Sequence, residues 1–388
     1  MKKIGIFTFH RSINYGAFMQ AYSLSKKILK SYPDTKVEII DYTSKLMDDH
    51  YVPRINRSAI RSPRGYFLRK KQYKLFKDAL TRLPLSEKKI FSDGQTEQVL
   101  KAYENDYDVF VAGSDAVWNW CKRGFPNPYL MNFEKDVKKL SYAASAYGMD
   151  ESFVKSEEKA YFAASLERFS FIGVRDEYTA ALVKSVAPAA VPEYTCDPTV
   201  FLDMDDVFAE IGLSREEFKA KIYKKLGISE DKKIIGVMGA PTKLAEKLND
   251  RFGDEYVIVN LYNYFRFVKK QLIDINPFEW AAVFSLFDLT VTSFFHGTLL
   301  SLRNHTPVIN YDFSAFSQNN EGKICDVMRR LDLSDCHFKS KNDFDLIVKK
   351  AEEVLNERDA YSTKIAKNME ALSNSSDKFL EKLGECLQ

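Results

Sequence analysis

The chain has 388 residues, 45% of them hydrophobic and 29% charged, a length beyond a single growing core and a composition that excludes extensive disorder. Its 57 basic and 54 acidic residues leave a net charge of +3, too little for the global field of a nucleic-acid binder, so any electropositive function must be local. The five cysteines, Cys121, Cys196, Cys325, Cys336 and Cys386, lack the short paired spacings of a zinc or redox motif, and no run approaches the ~18 apolar residues of a membrane span.

In chain order, the opening MKKIGIFTFHRS is broken at Thr8 and His10 and lacks a small-residue cleavage site, which predicts a first core strand rather than a signal peptide and a cytoplasmic protein. Strand-like runs at Ile4 to Phe9, Val37 to Tyr42, Val109 to Gly113, Leu140 to Ala146 and Phe171 to Arg175 alternate with helical patterns, the signature of parallel strands with crossover helices. A second series runs through Ile234 to Met238, Tyr256 to Leu261, Leu289 to Thr292 and Val308 to Tyr311. Between the two, the charged stretch Asp203 to Lys233 carries Phe208, Ile211, Phe218 and Ile222 at helical spacing. The expected fold is α/β with two Rossmann-like lobes, residues 1–205 on the acceptor side and 206–388 on the donor side. From Asn342 onward, Phe344, Ile347, Val348, Ala351, Val354 and Leu355 predict one or two amphipathic helices, which that division leaves free to pack back on the first lobe.

Arg54, Arg57, Arg61, Arg64, Arg69, Lys70, Lys71 and Lys74 form a basic segment without an acidic residue, interleaved with Tyr66, Phe67 and Tyr73. Such runs are usually solvated faces. The alternative is a patch for anionic lipid headgroups or a lipid-carried acceptor, which would place the protein at the inner face of the membrane.

Three segments carry chemistry. After the first strand, Asn14, Tyr15 and Gly16 form a turn that opens a helix, where a small residue lets backbone approach a ligand. The strand Val109 to Ala112 delivers Gly113, Ser114 and Asp115 to its carboxyl end, followed by Trp118 and Asn119. A carboxylate beside an indole suits sugar, the acid accepting hydroxyl hydrogen bonds and the ring offering a flat face. For Trp118 a core position is the simpler expectation. The third segment, DLTVTSFFHGTLLSLRNHTPVINY, reads as strand, sharp turn and helix, with His296 and Gly297 at the turn. The first amides of a helix lack internal partners and attract a phosphate or carboxylate, and open α/β sheets bind ligands outside the carboxyl ends of their strands.

Together with KLSYAASAYG (Lys139 to Gly148), FIGVRDEYTAALV (Phe171 to Val183) and CDPTVFLD (Cys196 to Asp203), these segments resemble the polysaccharide pyruvyl transferase family, in order, from Lys3 to about Leu333. The resemblance implies a glycosyltransferase B architecture and transfer of a pyruvyl group from phosphoenolpyruvate to two hydroxyls of a sugar, forming a cyclic ketal on a surface polysaccharide or its lipid-linked precursor. The family's SFHGT stands here as Ser293, Phe294, Phe295, His296, Gly297 and Thr298. This chain departs from the pattern at Ala116, where many members carry Gln, and at Phe294, where more distant members carry arginine.

On that resemblance, phosphoenolpyruvate is held as co-substrate by Ser293, Gly297, Thr298 and Lys323 with Arg175, whose alternative is an ion pair with Asp176 or Glu177. His296 moves the proton, histidine being suited to that near neutral pH. Asn14, Tyr15, Gly16, Ser114, Asp115, Trp118 and Asn119 face the sugar or lipid-linked oligosaccharide. His10 and His305 are read as structural, and no metal, other cofactor or nucleic acid is implied. The rivals are a nucleotide-sugar glycosyltransferase of the same architecture and a glycan-binding relative without catalysis.

Overall fold

A computed structural model of the chain describes residues 1–44, 52–53, 62–149, 152, 154–314, 322–340 and 342–388. They divide into two compact units, the first from Met1–Tyr51, Leu80–Pro198 and Ser373–Gln388, the second from Val52–Ala79 and Thr199–Leu372. The chain passes from the first unit to the second at Pro198/Thr199, near residue 205, and two further segments are exchanged across that cut. The helix Pro63–Leu80 joins the second unit because its inner face is committed there: Gln72 Nε2 donates to the Tyr262 carbonyl at 3.1 Å and Lys71 pairs with Asp274 at 2.6 Å. The helix Asp377–Leu387 joins the first unit, where Phe379 meets Tyr142 edge-on at 4.7 Å and Tyr32 Oη donates to the Leu380 carbonyl at 2.5 Å.

The first unit is built on seven parallel strands in the order β3-β2-β1-β4-β5-β6-β7. These are β1 (Lys2–Phe7), β2 (Thr35–Thr43), β3 (Leu85–Phe91), β4 (Val109–Ala112), β5 (Lys138–Ala144), β6 (Phe171–Val174) and β7 (Pro192–Tyr194). Strand β1 pairs with β2 through Ile4 and Val37 and with β4 through Ile4 and Val109, and each of these side chains is buried. Burial on both faces is what continuous apolar runs in a parallel sheet provide. Because the chain runs β1 to β2 to β3 on one side and β4 to β7 on the other, strand order reverses between β1 and β4.

The second unit has six parallel strands, β10-β9-β8-β11-β12-β13: β8 (Lys233–Met238), β9 (Tyr256–Leu261), β10 (Lys270–Leu272), β11 (Leu289–Thr292), β12 (Val308–Tyr311) and β13 (His337–Phe338). Its order reverses between β8 and β11, whose Val237 and Val291 are in register and wholly buried. The stretch expected to separate the lobes folds as helices Met204–Ile211 and Arg215–Leu226, both within this unit. Past residue 342 the chain forms helices Phe344–Asn356, Arg358–Ser373 and Asp377–Leu387, one more than expected, a short 3-10 turn at Asn374–Ser376 separating the last two.

Candidate active site

Each sheet reverses its strand order once, and a crevice at such a point is where an open α/β sheet takes ligand.

In the second unit the point lies where β8 and β11 end. Gly239 follows β8 with φ +73°, and a Cβ there would stand 2.5 Å from Ser293 Oγ and 2.6 Å from the Phe294 ring, so the two strand ends close on one another only because this residue has no side chain. The Ser293 amide donates to the Met238 carbonyl at 3.1 Å, and the Phe294 amide donates to Thr292 Oγ1 at 3.0 Å. The helix Phe295–Arg303 starts from Phe294, which is extended and gives it no side-chain cap. His296 is thus in the first turn of a helix whose leading amides receive no side-chain acceptor from the capping residue.

His296 is half-buried, its ring edge-on to Phe295 with centroids 5.2 Å apart. Lys323, the first residue of the helix Lys323–Arg330, holds its Nζ 4.8 Å from the centroid of the same Phe295 ring. An ammonium on an aromatic face keeps its charge while its stem is partly covered. The sequence therefore named two groups, His296 and Lys323, that share one aromatic neighbour. Phe294 meets Tyr262 edge-on at 5.9 Å, and the Arg69 guanidinium lies 5.9 Å from the Tyr262 ring centroid, so the Phe294 position is taken up by an aromatic contact.

Two of the expected donor contacts belong to packing. Gly297 is buried, and a Cβ on it would meet Thr292 Oγ1 at 3.0 Å and the Met238 sulfur at 3.3 Å, which seats the helix on the strand ends. Thr298 is fully buried; its hydroxyl donates to the Phe294 carbonyl at 3.0 Å and accepts from Asn310 Nδ2, which withdraws it from a ligand role. Ser293, half-buried beside Gly239, stays at the rim.

In the first unit the point lies where β1 and β4 end, and Thr8 Oγ1 donates to the Ser114 carbonyl across it at 3.2 Å. Asn14 caps the helix Tyr15–Ser31, its Oδ1 accepting from the Ala17 amide at 3.2 Å. Tyr15 and Gly16, expected to face an acceptor, are buried within that helix, as its heavily apolar first turns dictate. Trp118 is likewise core rather than a sugar platform, wholly buried with Phe162 at 5.2 Å and Phe169 at 6.0 Å. Asn119 is buried and donates to the Tyr147 carbonyl at 3.0 Å, which ties the turn instead of reaching outward.

Asp115 keeps a surface: its side chain is 13% exposed. Its φ of +85° lies in the left-handed region that side-chain-bearing residues seldom occupy, and its carbonyl accepts from the Val117 amide at 2.7 Å and the Ser145 amide at 2.9 Å. Arg175, expected to present its guanidinium to the donor with Asp176 or Glu177 as alternative partners, is 2% exposed. It pairs with Asp197 at 3.0 Å and with Asp115 at 3.6 Å instead. Burial works against its charge, and the carboxylates of Asp197, Asp115 and Asp176 more than offset that, holding the guanidinium pKa above its ordinary value.

Sequence reading missed one cluster. His10 places Nε2 3.1 Å from Asp41 Oδ1 and Nδ1 3.1 Å from the Thr8 carbonyl, and Arg11 forks onto both oxygens of Asp41. Burial pushes the Asp41 carboxyl up, but hydrogen bonds from His10 and Arg11 outweigh it and bring the pKa down to about 2. Nothing local in the sequence joins His10 to Asp41, which comes from the neighbouring strand β2.

No group of three or more His, Cys, Asp or Glu is placed to hold a metal among the described residues, and no helix there is long and apolar enough to cross a membrane.

A model of the polysaccharide pyruvyl transferase family matches residues 14–314. None of the curated proteins compared matches the chain. Among solved structures, UDP-GlcNAc 2-epimerase from Neisseria meningitidis bound to UDP-GlcNAc is similar at 8% identity over 99% of this chain and 100% of that chain, with a TM-score of 0.59. The wall teichoic acid polymerase TagF is similar at 14% identity over 100% of this chain and 88% of that one, with a TM-score of 0.51. For UDP-GlcNAc 2-epimerase from Methanocaldococcus jannaschii the values are 10%, 92%, 93% and 0.51. At such identities the likeness is one of fold: two parallel α/β sheets in the glycosyltransferase B architecture, as expected.

Proposed function

Because the chain belongs to the polysaccharide pyruvyl transferase family, we propose that it moves the pyruvyl group of phosphoenolpyruvate onto two hydroxyls of one sugar in a surface polysaccharide or its lipid-linked precursor. The observation that carries this reading is the second unit's switch point, where a helix without a side-chain cap opens beside His296 and the Lys323 ammonium. A small dianion or trianion is matched by such a place, since amide dipoles and an ammonium stabilise both phosphate and carboxylate.

The chemistry runs in three steps. His296 gives a proton to the methylene carbon of the enol ester, leaving the adjacent carbon electrophilic. A first sugar hydroxyl adds there and loses its proton. The second hydroxyl then displaces phosphate from the same carbon and its proton returns to His296, so that one ketal and one inorganic phosphate form. Ser293 and the amides after Phe294 hold the donor with Lys323.

An acceptor carried on lipid requires access to a membrane surface, and the helix Pro63–Leu80 supports this. Arg64, Phe67, Lys70 and Lys74 are exposed, Phe67 at 66%, while Gln72, Phe76 and Ala79 face inward. A basic face with one aromatic side chain suits the anionic headgroup region on the cytoplasmic side. Arg54, Arg57 and Arg61 of the same segment lie outside the described residues.

The test is release of inorganic phosphate from phosphoenolpyruvate in the presence of candidate glycans, with a mass gain on the glycan. His296→Ala should abolish it. A wild-type protein that releases phosphate only by hydrolysis, or that turns over a nucleotide sugar instead, would remove this reading.

A further inference from the structure

Residues 262–269 join the parallel strands β9 and β10, with Lys270 in register with Val259, over fewer than the roughly dozen residues that a parallel crossover usually takes. Val268 is the one buried residue of this loop, and side-chain amides supply the hold that packing does not. Gln271 Nε2 donates to the Phe265 carbonyl at 2.6 Å and to the Val268 carbonyl, while its Oε1 accepts from the Phe265 amide at 3.3 Å. Asn260, buried on β9, donates through Nδ2 to the Asn263 carbonyl at 2.6 Å and to Gln271 Oε1 at 2.7 Å. The loop is thus pinned to the two strands it connects.

Pinning fixes what the loop shows to solvent. Phe267 is 48% exposed, with the Phe265 ring centroid 5.4 Å away and the Arg266 guanidinium 4.7 Å from its own centroid. Arg266 and Lys269 are exposed on either side of it, and no acidic residue occurs between Glu255 and Asp274. Asp274 itself is engaged by Lys71 at 2.6 Å and by Lys225 at 2.9 Å. A ring held out by a pinned loop is not explained by packing, and cations without a counter-charge attract an anionic surface.

The neighbouring element has the same character. The helix Pro63–Leu80 meets the loop within the second unit: a Cβ on Gly65 would stand 2.8 Å from the Tyr264 ring, and Gln72 holds the Tyr262 carbonyl. Two adjoining elements therefore each expose an aromatic ring among cations, Phe67 on the helix and Phe267 on the loop.

We propose that residues 262–269 form a second lipid-contacting element beside that helix, Phe267 entering the headgroup region of a bilayer that carries anionic lipid while Arg266 and Lys269 pair with lipid phosphates. Charge complementarity selects this partner. The core of a protein interface is depleted in lysine and centred on apolar area, whereas a lone ring flanked by cations matches an anionic headgroup layer. The loop begins at Tyr262, whose ring meets Phe294 at 5.9 Å, so the contact adjoins the turn that carries Ser293 in the same unit. The inference rests on the pyruvyl-transfer reading for a lipid-carried acceptor; the lipid contact itself does not.

The experiment uses Phe267→Trp in the full chain, with vesicles of phosphatidylglycerol and phosphatidylcholine in equal parts. The three native tryptophans, Trp118, Trp120 and Trp280, are all buried, so the added indole reports the loop. Expected are a blue shift of its emission when vesicles are added and quenching by lipids brominated near the headgroup, with neither on phosphatidylcholine alone. Arg266→Ala/Lys269→Ala should weaken cosedimentation on the order of tenfold at low salt, and Phe267→Ala should weaken it at every salt concentration. Both variants should keep wild-type phosphate release with a water-soluble glycan, because these residues lie outside the proposed donor site. Emission that stays unshifted and unquenched while the protein cosediments would overturn the inference and leave the helix as the contact. A wild type that binds vesicles through the loop yet moves no pyruvyl group would instead overturn the reading beneath it.

Discussion

The Lys323 ammonium stands 4.8 Å from the centroid of the Phe295 ring, and that ring also meets His296 edge-on. One side chain thereby sets the placement of both the cation and the imidazole at the start of the helix Phe295–Arg303. Replacing Lys323 with alanine should weaken phosphoenolpyruvate binding by about 1.4 kcal/mol, roughly tenfold, with little change in kcat. Lys323→Arg should retain most of it, and titration calorimetry reads the difference. Equal affinities for wild type and Lys323→Ala would exclude Lys323 from the donor site.

Gly239 and Gly297 pack against the same strand ends to different degrees. Gly239→Ala places a methyl within 2.6 Å of Ser293 and Phe294 at a φ of +73°, whereas the contacts at Gly297 begin at 3.0 Å. The first substitution should cost about 2 kcal/mol of stability and lower activity, through strain and displacement of the turn. Gly297→Ala should be milder on both counts. Urea denaturation monitored by tryptophan fluorescence, paired with the phosphate-release assay, ranks them.

Lys139 provides a pH signature. Its ammonium is wholly buried, donates to the Met131 carbonyl at 2.8 Å and to Ser165 Oγ at 3.2 Å, and lies 4.6 Å from the Phe169 ring centroid. Burial first, and then Arg168, lowers its pKa from 10.5 to about 7, with Asp136 opposing. Between those values the unfolded chain binds a proton that the folded chain does not, so this residue's penalty grows as pH falls from about 10.5 and levels off below about 7. Its ceiling is on the order of 5 kcal/mol. The difference in unfolding free energy between wild type and Lys139→Met should therefore vary with pH across that window and be flat at pH 5 to roughly 6. A constant offset from pH 6 to roughly 10 would contradict it.

The outer face of the helix Pro63–Leu80 should bind vesicles containing phosphatidylglycerol and ignore vesicles of phosphatidylcholine alone. Lys70→Ala/Lys74→Ala should lower partitioning by on the order of 2 kcal/mol at low salt, at about 1 kcal/mol for each basic residue near a charged surface. Phe67→Ala should weaken it further without changing its salt dependence. Cosedimentation across a salt series separates these contributions.

The strands that the sequence made legible are those with neighbours on both sides. Ile4 to Phe9, Val109 to Gly113 and Leu289 to Thr292 fall on β1, β4 and β11, where burial on both faces produces uninterrupted apolar runs. The unrecognised strands β3, β7, β10 and β13 are all at sheet edges. β3 reads LSEKKIF and is mostly exposed in its middle, so neither alternation nor an apolar run marks it. The candidate site divides similarly. The strand end, turn and helix start that carry Ser293, His296 and Gly297 were legible because they are contiguous in sequence, and a helix start has a local signature. Arg175 was found but its partners were not, since Asp115 and Asp197 come from other strand ends and no spacing rule connects them. Tyr15 was misplaced for the converse reason: an aromatic residue next to a turn is equally suited to filling the space beneath it, as Trp118 also does.

The two exchanges of chain between the units bear on how this protein can be taken apart. The second unit borrows Val52–Ala79 from the amino-terminal third, and the first recovers Ser373–Gln388 from the carboxyl end. No single scission liberates either one whole. A truncation ahead of Ser373 would peel Phe379 from Tyr142 and Phe171, baring the first sheet although the cut lies next to the second unit in sequence.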